Sequence, residues 1–361
     1  MTQRLTKKIA YSKLQAFFNE KPMVLFGTGT SCAIDARFGM AALKEHLFTE
    51  IQKQSLTESQ KKEWDEVVTF LQSSNDFEKA MDAINDSELI QLITNKTAAF
   101  LIQIEQHYAI KILKAEVEWP AIALFKRLVN GLPETDRKLH VATPNYDLLA
   151  EYAFEQANIP YLTGFIGGIC RQLDWTQCER AVTYIETVSK GRKIGKVRKF
   201  KKHIRLYKVH GSLNTFKLND QVVENNAWIN TVPTGVERMM QTGTSKVEWL
   251  YQNRELLVTF DNAVKDHSSF LFLGFGFNDS QLNQTLKAKL KHQKNPGLII
   301  NRDSNESIEM FLNESDNLWL VCKHQDNNST RIYNKQYENE LYLKDKEIWK
   351  IEHFTREILG A

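Results

Sequence analysis

The sequence predicts an open α/β fold: a parallel sheet with a large helical insertion. Three observations carry that prediction. Four short apolar runs, the first being Met23-Val24-Leu25-Phe26, each lead directly into a motif of Gly, Asn, Asp or His. These motifs are Gly27-Thr28-Gly29-Thr30-Ser31, Thr143-Pro144-Asn145-Tyr146-Asp147, His210-Gly211-Ser212 and Gly274-Phe275-Gly276-Phe277-Asn278-Asp279. Uninterrupted apolar runs fit strands buried on both faces of a parallel sheet, and the loops after such strands converge on one edge, where ligands bind. About ninety residues of helical pattern separate the first run from the second, far more than one crossover helix needs. Finally, 361 residues with 42% hydrophobic and 25% charged side chains are the makings of an ordinary globular core.

The first strand, 23–26, is entered after Pro22. From about Phe38 to Asn130 the pattern is helical, clearest at 97–112 and, after Pro120, at 121–129. Strand character returns at 139–142, and a helix over 148–156 follows. Residues 161–168 contain glycine and read as irregular. Residues 204–209 read as a strand feeding His210, 247–264 as a helix, 270–273 as a strand, and 298–300 as a strand ending at Asn301. Asp279 is expected to cap a helix that begins near Ser280. The tail after about Asn327 is charged, aromatic and low in Gly and Pro, which argues against disorder.

Several function classes lose ground on composition. No apolar run reaches the ~18 residues of a membrane span, and the N-terminus has no signal-like apolar stretch, so a cytoplasmic protein without membrane contact is expected. A net charge of +3 is too mild to imply nucleic-acid binding by itself. The basic run from Lys190 to Lys208 holds ten Lys/Arg and no acid. It allows contacts to DNA or RNA phosphates, although a solvated loop and strand face is the plainer expectation. The four cysteines, Cys32, Cys170, Cys178 and Cys322, form no CxxC pair, so no metal site is expected and reduced thiols are.

The four motifs describe one pocket. Gly27, Thr28 and Gly29 form a turn whose backbone can approach a pyrophosphate at a helix N-terminus, with Ser31 placed to bond a phosphate or cap the helix. A dehydrogenase fingerprint would want a third glycine where Cys32 stands, which weakens a hydride-transfer reading. Asn145 and Asp147 suit a sugar, or a helix cap. An imidazole can take up and release a proton under mild conditions, so His210 suits proton transfer. Gly274 and Gly276 admit phosphates and ribose.

The ordered set resembles the sirtuin family, over roughly residues 23–302. The Gly27–Ser31 loop resembles the family's Gly-Ala-Gly-x-Ser. Ala33-Ile34-Asp35-Ala36-Arg37-Phe38 is similar to its segment ending in Asp-Phe-Arg, in permuted order. Thr143–Asp147 resembles Thr-Gln-Asn-x-Asp, with Pro144 in place of the glutamine; His210-Gly211 matches His-Gly; the Gly274 motif takes the place of Gly-Thr-Ser; Asn301 matches the Ile-Asn element. The resemblance implies that Asn145 orients a ribose hydroxyl or the attacking water, His210 is the general base, and Asp35 and Asp147 hold the nicotinamide. It also implies that Arg37, Phe275 and the glycines belong to the cofactor loops and that Asn301 meets the adenine-side ribose. The plain alternative for Asp35 and Arg37 is a local ion pair at a helix start.

By this resemblance the fold is a Rossmann-like sirtuin fold with a parallel sheet and no zinc module, since the family's cysteine quartet is missing. Residues 1–302 form the NAD-binding domain, with the insertion at about 38–130, and 303–361 form an extension on the core or at an oligomer interface. The implied activity is an NAD+ hydrolase releasing nicotinamide and ADP-ribose, with NAD as substrate. Bacterial sirtuin-like proteins of this architecture look like NAD-depleting effectors of antiphage defence; they form homo-oligomers, and some pair with a HerA-type ATPase. Two alternatives stay open: an NAD-dependent protein deacylase, and a non-catalytic subunit that senses NAD or ADP-ribose.

Overall fold

A computed structural model describes residues 3–73, 77–190, 193–240, 254–325 and 328–360. Its strands are β1 (Met23–Phe26), β2 (Lys138–Thr143), β3 (Tyr161–Leu162), β4 (Phe165–Gly167), β5 (Arg171–Leu173), β6 (Thr183–Lys190), β7 (Lys193–Phe200) and β8 (His203–Lys208). They continue with β9 (Gly211–Leu218), β10 (Gln221–Glu224), β11 (Glu237–Met240), β12 (Phe270–Leu273), β13 (Gly297–Ile300), β14 (Leu318–Lys323), β15 (Thr330–Tyr333) and β16 (Leu341–Leu343). Nine of them form the main sheet, in the order β16-β15-β14-β13-β12-β1-β2-β8-β3. Every pairing from β14 to β3 is parallel; the β14–β15 and β15–β16 pairings at one edge are antiparallel, so β15 runs against the other strands of this sheet.

Alternation along these strands sorts the core into two layers. Val24, Phe26, Val141, Leu271, Leu273 and Ile300 pack on one side, against the helices Lys7–Phe17, Ser87–Leu113, Ile122–Asn130, Leu149–Gln156 and Ile351–Leu359. Met23, Leu25, Tyr207, Phe270, Phe272 and Ile299 pack on the other, against Trp175–Ala181, Arg254–Asp266, Ser280–Lys287 and Glu306–Glu314. With both faces covered, the strands have no polar side to show, which is why the sequence shows runs rather than alternation.

The insertion between β1 and β2 is helical, as expected. Its helices Met40–Ile51, Glu58–Ser73, Phe77–Met81 and the first half of Ser87–Leu113 bury a separate small core of Leu43, Leu47, Trp64, Val67, Leu71, Leu89 and Ile93. The stretch expected as a helix over 247–264 is helical from Arg254; 247–253 lie outside the described residues. Residues 303–361 supply β14 to β16 and the helix Ile351–Leu359, which lies against Lys7–Phe17 through Phe354, Ile358, Leu14 and Phe17.

Two expectations need correction. Residues 161–168 are not irregular: they carry β3 and β4, each too short for periodicity to reveal, joined by a turn at Gly164 (φ +90°). The first part of the basic run, expected as a loop, holds the strand β7, which pairs with β6 as a two-stranded ribbon, while the strand expected at 204–209 is β8. A five-stranded sheet, β11-β9-β10-β5-β4, sits beside the main one. No helix among the described residues is long and apolar enough to cross a membrane.

Candidate active site

Strand order reverses at β1, whose C-terminal loop faces that of β12, and such a switch point opens a crevice at the sheet edge. Here the two glycine motifs meet backbone to backbone. Gly27 N donates to Leu273 O and Gly29 N to Gly274 O, both at 3.0 Å. A Cβ on Gly27 would lie 2.7 Å from Gly274 O, and one on Gly274, itself at φ +55°, 2.7 Å from Thr30 N. Only glycine permits this approach. The β12 loop also holds Phe277 at φ 55°, an uncommon backbone state that persists where surroundings over-determine it. Three asparagines do so. Asn301 accepts from Phe275 N (3.1 Å) and donates to Phe275 O (2.9 Å), Asn305 donates to Gly276 O (2.9 Å), and Asn283 donates to Phe277 O (2.6 Å).

Ser31 ties the first loop to the one after β2. Its hydroxyl donates to Asp147 Oδ2 at 2.8 Å and accepts from Asn145 Nδ2 at 3.2 Å. Asn145 is 5% exposed, and its Oδ1 is buried without a hydrogen-bond partner among the described residues. Buried polar atoms are seldom left so. Asn145 and Asp147 line a cavity of about 80 Å³ together with Thr28, and a second cavity of about 250 Å³ is bordered by Gly27, Thr28, Gly29, Gly274, Gly276 and Asp279. Thr28, Met40, Phe77 and Pro144 line both, so the helical insertion roofs the two chambers. The larger groove of about 1060 Å³ lies elsewhere, beside Pro22 and Leu139 at the opposite ends of β1 and β2.

His210, 3% exposed, bonds through Nε2 to Asp279 Oδ2. The other oxygen, Asp279 Oδ1, accepts from Leu282 N at 3.0 Å and caps the helix Ser280–Lys287. A carboxylate so placed fixes the tautomer and orientation of the imidazole, as in a Ser-His-Asp triad. Gly211, at φ +73°, passes so close to β11 that a Cβ would sit 1.9 Å from Met239 O.

Behind these groups lies a buried charge cluster. Lys208, 4% exposed, donates to Asp147 O at 2.6 Å and pairs with Glu151 at 3.0 Å. Glu105 accepts from Leu148 N at 2.6 Å. Burial pushes the Glu105 carboxyl up to about 8, with the Asp147 charge adding to the rise. Burial also raises Asp147 and Glu151, against the lowering effect of Lys208. Glu224, paired with Arg171 at 3.1 Å, is pushed up by burial to about 7.

Against this geometry, residues 139–341 match the SIR2-like domain. The chain belongs to the SIR2-like domain family. A comparison with curated proteins gives no match. Among solved structures, this SIR2-like chain is similar to one described as "The Structural basis of Sirtuin Substrate Affinity", at 12% identity, 99% of each chain covered and a TM-score of 0.45. Another, "Structural Basis for the Mechanism and Regulation of Sir2 Enzymes", is 12% identical, with 85% of this chain and 90% of that chain covered and a TM-score of 0.42.

In the SIR2-like chain the expected site residues fall into three groups. Gly27, Thr28, Gly29, Ser31, Asn145, Asp147, Gly274, Gly276 and His210 converge through the contacts above. Phe275 lies in the β12 loop and borders the larger chamber, its ring packing on Phe272 and Phe277 at 6.0 and 4.9 Å, and Asn301 holds Phe275's main chain from below. Asp35 and Arg37 border neither cavity. They form an ion pair at 2.6 Å, Tyr108 donates to Asp35 at 3.0 Å, and the Arg37 bond holds the Asp35 carboxyl down at about 2. Sequence reasoning passed over Glu105, Glu151 and Lys208 and favoured a capping role over chemistry for Asp279. The two-position spacing of Lys208 and His210 was the one available sign, because alternate strand positions share a face. Among the described residues no group of three or more His, Cys, Asp or Glu is arranged to hold a metal ion.

Proposed function

We propose that this SIR2-like protein is an NAD+ hydrolase that cleaves the bond between nicotinamide and ribose C1′. The family implies NAD chemistry, and the observation that carries the reading is Asn145 Oδ1, buried and without a hydrogen-bond partner among the described residues, on the smaller chamber, which shares Thr28 and Pro144 with the chamber edged by the glycine loops and by Asp279, the partner of His210. Asn145 accepts a hydrogen bond from the ribose or the attacking water. As water bonds to C1′ and the C1′–N bond breaks, the electron pair goes to the pyridine nitrogen and neutralises it. His210 takes the water's proton, its ring held by Asp279. Asp147 sits where carboxylate charge can favour an oxocarbenium-like transition state. The products are nicotinamide and ADP-ribose.

Both chambers, about 250 and 80 Å³, fall below the roughly 300–1,000 Å³ of typical ligand pockets. A roof that closes the site fits an enzyme kept silent until needed, and so supports an NAD-depleting role in antiphage defence, within an oligomer or beside a HerA-type ATPase partner. The decisive assay measures nicotinamide and ADP-ribose release by wild type, Asn145→Ala and His210→Ala, each with and without an acyl-lysine peptide. Peptide-independent release lost in both variants is expected. Release only with peptide would make the protein a deacylase, and NAD binding without release an NAD sensor.

A further inference from the structure

We infer that the end of the sheet opposite the candidate active site is a binding face for duplex DNA, with the β6–β7 ribbon as its reading arm. The basic run divides by role. Lys208 belongs to the buried cluster, Arg205 pairs with Glu179 at 3.0 Å, and Lys199 pairs with Glu186 across the ribbon. Lys196, Arg198 and Lys201 are exposed, and among the described residues none of them has an acidic partner.

Pairing sorts the ribbon's charges by face. Arg198 stands opposite Ile185 and Lys196 opposite Thr187, which places all four on one face. Glu186, the one acid in the ribbon, is on the other face, one position away from each. The cationic face therefore carries guanidinium, ammonium and hydroxyl groups and the exposed Ile185 (64%), with no carboxylate. Arg137 anchors the ribbon's base, donating to Tyr184 Oη at 2.7 Å and Phe200 O at 2.9 Å.

The face continues past the base. Lys202 donates to Asn130 O at 2.6 Å, and Asn130 lines the open groove of about 1060 Å³. Lys21, Lys126 and Arg127 also line it, with no Asp or Glu among the lining residues. Residues 183–208 carry ten Lys/Arg and one Glu against a whole-chain charge of +3, so the rest of the chain is net acidic. Such segregation builds a local field that a mild net charge conceals. Shape selects the partner. Each eight-residue strand is roughly 26 Å long at about 3.3 Å per residue, and a two-stranded ribbon enters the B-DNA major groove, about 12 Å wide. The deep, narrow major groove of duplex RNA does not admit it.

The test is fluorescence anisotropy of a labelled 20-base-pair duplex with the full chain, from 50 to 250 mM NaCl. Binding at 50 mM salt, with affinity falling steeply as salt rises, is expected. The double variant Lys196→Gln/Arg198→Gln should flatten the log–log salt slope by about 2, near 0.9 per lost phosphate contact. Lys61→Gln/Lys62→Gln, on the helix Glu58–Ser73, should leave it unchanged. Circular dichroism melts of both variants should match wild type. No duplex binding at 50 mM, an unaltered slope in the ribbon variant, or equal competition by anionic vesicles or polyglutamate would overturn the assignment. The assay contains no NAD, so its result is independent of the hydrolase reading.

Discussion

Asp279 gives one oxygen to a helix N-terminus and the other to His210. Asp279→Asn keeps an acceptor for the cap and removes the charge behind the imidazole. Nicotinamide release should fall by about 10²-fold or more, while urea stability changes by less than about 1 kcal/mol; unchanged release would remove Asp279 from the mechanism. Glu105 makes a pH prediction. Its carboxyl is held at about 8 by burial, so the native chain keeps a proton that the unfolded chain releases above its ordinary 4.5. The stability this gives is complete below about pH 4.5 and is lost as pH rises through about 8. Glu105→Gln should flatten that dependence, by up to about 1.4 kcal/mol per pH unit, in urea titrations at pH 5, 6.5 and 8. Parallel profiles for variant and wild type would refute it. Asn145, Asp147 and His210 were legible because each sits in a short motif at a strand end. Glu105 was not, since it lies mid-helix with nothing beside it in sequence to mark a burial that only the tertiary fold creates.

Among elements, the helical insertion matters most to the site, because Met40 and Phe77 cover both chambers. Phe77 is also part of the insertion's own core, so its removal would confuse opening with unfolding. Met40 is 39% exposed, and Met40→Ala should lower the KM for NAD several-fold with little change in melting temperature. Equal KM values would show that the roof does not limit entry. Long elements could be read from periodicity, as with the helix Ser87–Leu113, anticipated at 97–112. The five-stranded sheet escaped because β4 and β5 have three residues each and their partners are fixed by pairing across distant segments. The ribbon escaped because its Lys and Arg have low strand propensity.

On the scale of the molecule, the two ends of the parallel strands do different work. One gathers the glycine loops and the His–Asp pair; the other carries the open groove beside the N- and C-terminal helices. Phe354, fully buried between them, should cost about 3–5 kcal/mol when changed to alanine. Urea titration measures this cost, and NAD turnover below the transition should be unchanged; a matching loss of turnover would show that the two ends are coupled. The glycine joint has a consequence for synthesis on the ribosome. Gly27 and Gly29 are translated early, but the backbone they rest on, at Gly274, and the carboxylate that holds His210, at Asp279, are translated some 250 residues later. At about 5–20 residues per second this is a lag of roughly 12–50 s. During that interval the growing polypeptide has neither the glycine joint nor the His210–Asp279 pair, so on the proposed reading a nascent chain should release no nicotinamide before residue 279 has emerged.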